Sequence, residues 1–172
     1  MSELRSTIEA FRAESLPELP DARIEEDFAE LHRAVEQLEA ERLRRLGEIE
    51  RRRLFERDGH LSAAAWLTST FQVAWGTARE HLRIARGLQQ MPVARRALDD
   101  GDLSMSALRV LVGAREADPE AFAGAEAQLV QAARIHTIAD LQRVTAYWRQ
   151  RVERERALHE DDALRARRRL HA

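Results

Sequence analysis

From Asp21 to Asp58 the chain carries no proline and a single glycine, Gly47, and along that run Ile24, Phe28, Leu31, Val35 and Leu38 recur at steps of three and four, resumed at Leu46 and Ile49. That spacing follows the 3.6-residue period of an α-helix with one apolar face, not the two-residue alternation of a strand. It predicts one helix of about 36 residues, on the order of 50 Å long at the standard rise. An element of that length must lie along another long helix, either of the same chain or of a second copy. Because the apolar run is interrupted at Arg42, packing within the chain is favoured over a dimeric coiled coil.

A second long helix is legible near the other end. Thr137-Ile-Ala-Asp140 reads as a capped helix start, and Leu141, Val144, Trp148 and Val152 continue its apolar face into an arginine-rich, polar run to Arg169. This helix is the expected partner of the first. The chain stops without a C-cap or tail, which points to a fragment of a longer protein. Between the long helices lie shorter ones, with caps expected at Ser62, Ser104 and Asp118, the last followed by Pro119 and Glu120, and a helix stop at Gly101. Before them, a short amphipathic segment (Leu4, Ile8, Phe11) ends at the Pro17–Pro20 stretch, with Asp21 expected as the next N-cap. The expected fold is an all-α, irregular bundle of roughly six to eight helices, two long and several short, with residues 1–20 as a short helix and proline linker and 21–172 as a single domain.

What is missing narrows the chemistry. The chain has no Cys, which removes disulfides, zinc–thiolate sites and thiol catalysis, and all 28 of its basic residues are Arg. Six His residues show no close ligand spacing, and no Gly-rich phosphate loop or nucleophile elbow is present. The one acidic cluster beside a histidine, His159-Glu-Asp-Asp162, reads as a solvated helix face. No active site, metal or cofactor is therefore expected in this chain. Neither a signal peptide nor a membrane span is read in it, so a cytoplasmic protein is the default.

The net charge of −2 conceals an alternation: residues 1–60 sum to −5, 61–98 to +4, 99–136 to −4 and 137–172 to +3. A localised positive segment in a neutral protein is a candidate phosphate-facing surface. Within it, Thr70-Phe-Gln-Val-Ala-Trp-Gly-Thr-Ala-Arg-Glu-His-Leu82 has the layout of a helix-turn-helix corner. Val73 fits the apolar plug and Thr77-Ala78 the start of the second helix. Arg79, Arg83 and Arg86 then fall near one face of that helix, where arginine reaches phosphates or guanine edges, and Thr77 is a candidate backbone contact. Gln72 stands where glycine is usual in such a turn, and Ala74 where a capping Ser or Thr is usual. A purely structural helix pair is the other reading. A second helix–turn–helix fragment, Ala97 to Leu111, carries Asp99, Asp100 and Asp102 in its turn, which argues against phosphate and for scaffold.

Asp58-Gly-His-Leu-Ser-Ala-Ala-Ala-Trp-Leu67, Gly76-Thr-Ala-Arg79, Arg83-Ile-Ala-Arg-Gly-Leu88, Met91-Pro92, Ala97-Leu98, Gly101-Asp-Leu-Ser104 and Tyr147-Trp148-Arg149, in this order, resemble the actinobacterial 13E12 repeat family, also described as domain of unknown function 222. The resemblance spans roughly Ile24 to the end. It implies the helical N-terminal region of an HNH-endonuclease-type protein, whose nuclease domain would follow Ala172. With no Asn in the chain, the His-Asn-His site cannot lie within it. Two functions follow as expectations: a nucleic-acid-binding or targeting module acting through Thr77, Arg79, Arg83 and Arg86, or a dimerisation or scaffold module that positions the nuclease domain without touching DNA.

Overall fold

The structure, a computed structural model, describes the backbone of residues 2–170 and the side chains of residues 3–159. It contains α1 (Ser2–Ala13), a 3₁₀ turn (Leu16–Glu18), α2 (Asp21–Arg51), a second 3₁₀ turn (Leu54–Asp58), α3 (Ala63–Phe71), α4 (Trp75–Gln89), α5 (Pro92–Asp99), α6 (Met105–Ala117), α7 (Pro119–Ile135) and α8 (Ile138–Leu170). The fold is all-α, with eight α-helices and no strand among the described residues. The chain divides into two compact units, Met1–Val35 and Glu36–Ala172.

The helix starts follow the cap chemistry. Ser62 Oγ accepts from Ala65 N at 3.1 Å, Ser104 Oγ from Ala107 N at 3.1 Å and Asp118 Oδ1 from Ala121 N at 3.0 Å, each satisfying an N–H that the helix cannot pair internally. Thr137 Oγ1 accepts from Asp140 N at 3.2 Å and donates to the Asp140 carboxylate. Gly101, at φ +77°, closes α5, with its N–H on the Leu98 carbonyl and that of Asp102 on Ala97. Asp21 is the first residue of α2 and not its cap. The Pro20 carbonyl accepts from Ile24 N, and the Asp21 carboxylate sits in the first turn, where the helix dipole favours it.

Two expectations about the long helices are corrected. The first ends at Arg51 and is 31 residues long, shorter than the run from Asp21 to Asp58, free of proline, suggested. Arg53 adopts a left-handed conformation (φ 53°) and the chain turns so that Phe55 enters the core at 6% exposure. Burial of one aromatic ring offsets the cost of a strained non-glycine residue, with no breaker in the sequence to announce it. The second correction concerns the partner: α8 packs on α6 and α7, and α2 is not among its principal neighbours.

Within Glu36–Ala172, α6 is central and lies against α4, α7 and α8, while α5 packs on α7 and α3 on α4. Leu108, Leu111 and Val112 of α6 are fully buried with Ile84, Met91, Phe122 and Leu141. The approach of α4 to α6 requires Gly87, where a Cβ would stand 2.9 Å from Val112 Cγ2. Trp148 closes the core edge-on to Phe122, ring centroids 6.1 Å apart. In Met1–Val35, by contrast, no described side chain is buried.

Candidate functional site

The corner expected between residues 70 and 82 is present. A three-residue turn, Gln72 to Ala74, joins α3 to α4, and Gln72 takes the left-handed conformation (φ 55°) that glycine ordinarily supplies there. Val73 packs partly buried against the core as the plug, and Ala74 offers α4 no side-chain cap. Trp66, beside this turn, is held by its indole N–H donating to Asp58 at 3.1 Å and by an edge-on contact with Phe71.

The three arginines are brought together. Arg79, Arg83 and Arg86 line one open groove of about 520 Å³ with Trp75, Glu80 and Ser62. Thr77 is exposed and does not line it. Two of the arginines, however, arrive already paired. Arg83 forms a bidentate pair with Glu80 on its own helix (both contacts 2.7 Å) and reaches Glu116 of α6 at 2.6 Å. Arg86 forms a bidentate pair with Glu50 of α2, one contact being 2.8 Å. The hydrogen bonds that Arg83 donates to Glu80 and then to Glu116 raise its pKa, those that Arg86 donates to Glu50 raise that of Arg86, and Arg83 lowers that of Glu80. Three carboxylates therefore stand against three guanidinium groups. Among the described residues, Arg79 is in no ion pair, so the groove presents one directly unpaired guanidinium beside the half-exposed indole of Trp75. Two of the four net positive charges of residues 61–98 are met in space by Glu50 and Glu116, which lie outside that stretch and carry no local signal that would nominate them.

The acidic turn of Asp99, Asp100 and Asp102 is tied to a neighbouring helix through Asp102. Asp102 pairs with Arg134 of α7 at 3.0 Å, and the next helix start is held by Glu36, whose carboxylate accepts from Met105 N. No cluster of His, Cys, Asp and Glu able to hold a metal occurs among the described residues. His159 is exposed; the side chains of residues 160–162, the rest of its acidic cluster, lie outside the described residues.

A different surface emerges on α2. Ile24, Phe28, Leu31 and Val35 are 39, 70, 41 and 58% exposed, so the apolar stripe expected to pack within the chain is open along this stretch. Its rim is ordered. Arg23 Nε donates to Asp27 at 2.9 Å, and the rings of Phe28 and His32 stack. A run of large apolar side chains one turn apart on solvent is the surface signature of a docking face; single exposed leucines are not.

Comparison with protein-family models, with curated proteins and with solved structures finds no match to this chain. No helix among the described residues is long and apolar enough to cross a membrane.

Proposed function

We propose that this chain is a helical protein-interaction module, a scaffold whose docking element is the open stripe of Ile24, Phe28, Leu31 and Val35 on α2. The observation that carries this reading is the exposure of those four side chains at helical spacing, with Phe28 70% open. Covering apolar surface of this kind is the main driving force for association. Helix-on-helix docking reads such i, i+4, i+7, i+11 anchors. In a longer protein of the type implied by the 13E12 resemblance, the module would hold or assemble a following nuclease domain and perform no catalysis itself.

The test compares the wild type with a Phe28→Glu/Val35→Glu variant for binding of an apolar fluorescent dye at submicromolar protein. The expected result is dye binding by the wild type, its loss in the variant, and identical far-UV circular dichroism. Equal dye binding by both, or an unfolded variant, would show that the stripe is not a docking face.

A second reading is favoured by one observation, that Arg79, in no ion pair among the described residues, lines the α4 groove with Trp75. An exposed guanidinium next to an aromatic face suits a nucleic-acid backbone and a stacked base. On this reading Thr77 and Arg79 make the contacts, while Arg83 and Arg86 must first exchange Glu116 and Glu50 for phosphate. Fluorescence anisotropy with labelled duplex and single-stranded DNA across a salt series decides it. Salt-sensitive binding lost in Arg79→Ala supports the contact, and no binding at low salt removes it.

A further inference from the structure

Resting on the docking reading, we infer that the stripe on α2 is covered by a second copy of this chain, the two α2 helices running antiparallel across residues 24–35. The stripe has heptad spacing, with Ile24 and Leu31 at d positions and Phe28 and Val35 at a positions. In an antiparallel pair each a residue meets a d residue of the other helix. Ile24 then lies opposite Val35 of the second copy and Phe28 opposite its Leu31, and the two-fold axis repeats both layers. Large faces smaller in each layer, the arrangement that interdigitates.

The flanks are self-complementary in the same register. Glu25 meets His32 of the second copy, on both sides of the axis, and Asp27 meets Ala34. The Glu25 carboxylate accepts from an imidazole N–H whether or not the ring is charged. Asp27 is already held by Arg23 on its own helix, and the stack on Phe28 keeps His32 at the rim. No like charges are opposed. A parallel pair would set Asp21 against Asp21, Arg42 against Arg42 and Arg45 against Arg45 at its seam. The antiparallel contact is isologous and closes as a dimer.

Electrostatics separates this occupant from others. Residues 1–35 carry nine acidic residues against four arginines, so two copies repel at long range and added salt strengthens the dimer. A basic partner helix or a nucleic acid would give the opposite salt dependence.

Sedimentation equilibrium of the full chain from about 1 to 300 µM tests the inference. The expected result is a monomer–dimer equilibrium, tighter at about 500 than at about 50 mM NaCl. Phe28→Glu should remain monomeric, and His32→Glu, which turns two attractive flank pairs repulsive, should weaken dimerisation about tenfold. Because the chain has no cysteine, register is read directly. Mild oxidation of mixed Ile24→Cys and Val35→Cys variants should give chiefly the mixed disulfide. A monomer at every concentration, a dimer indifferent to Phe28→Glu, or ready self-linking of Phe28→Cys with no mixed disulfide would overturn it. Monomeric protein that still binds dye through the stripe would leave the docking reading standing with another occupant; monomeric protein without stripe-dependent dye binding would remove both.

Discussion

Phe28 and His32, one turn apart on α2, stack with ring centroids 6.4 Å apart and planes 14° from parallel, although Phe28 is 70% open to solvent. An i, i+4 contact of this kind restricts both side chains before anything covers them. Restriction in the free state would lower the entropy lost if the proposed partner docks there.

Gln72 supplies the left-handed turn between α3 and α4 with a residue that carries a Cβ. Replacing it by glycine removes that steric cost and adds freedom to the unfolded chain, two effects of opposite sign. Gln72→Gly should stabilise the protein by up to about 1 kcal/mol, and the β-branched Gln72→Val should destabilise it by about 1–2 kcal/mol. Urea unfolding midpoints of the two variants check the order.

Glu126 is a buried carboxylate with a defined task. Its Oε1 accepts from Val93 N at 2.9 Å and Ala94 N at 3.0 Å, so α7 caps the first turn of α5 from across the interface. Glu126→Ala leaves two N–H groups unsatisfied and should cost about 2–3 kcal/mol, whereas Glu126→Gln keeps an acceptor oxygen and should cost about 1. Equal losses in denaturant titrations would place the effect in packing and not in the cap.

The parts of the fold legible in the sequence are those decided within a few residues. Ser62, Ser104, Asp118 and Thr137 mark helix starts because a cap bonds an N–H three residues on. The corner at residues 72–74 was legible for the same reason, even with Gln72 in the glycine position. Events set by distant residues were not legible. The neutralisation of Arg83 by Glu116 and of Arg86 by Glu50 spans 33 and 36 residues, so a count of charge along the chain showed a basic patch where the fold makes a balanced cluster. The end of α2 at Arg51 depends on where Phe55 is buried, which no local signal carries. Periodicity identified the apolar face of α2 correctly as a face; whether something covers it is a property of tertiary structure.

His81 introduces a pH dependence. Its Nε2 accepts from the Arg42 guanidinium at 3.3 Å, its Nδ1 is buried without a partner among the described residues, and burial, then the Arg42 charge, hold its pKa below the ordinary 6.5. At higher pH both folded and unfolded forms are neutral there, and the residue contributes nothing to the pH dependence. Below about 6.5 the unfolded chain takes up a proton that the fold resists, so stability falls as the pH drops. Denaturation at pH 7.5 and 5.5 should show a smaller decline for His81→Gln than for the wild type; an unchanged decline would assign it to other groups.

Whether the α2 stripe is a surface face or part of a core is tested most directly by a pair of truncations read by urea unfolding at submicromolar protein. Phe122, 1% exposed, is the buried control, and Phe122→Ala should cost about 3–5 kcal/mol. Phe28→Ala should change stability by no more than about 0.5 kcal/mol, as for a surface position. A loss at Phe28 approaching that at Phe122 would mean that the stripe is part of the core, and the account of α2 as a docking element would be wrong.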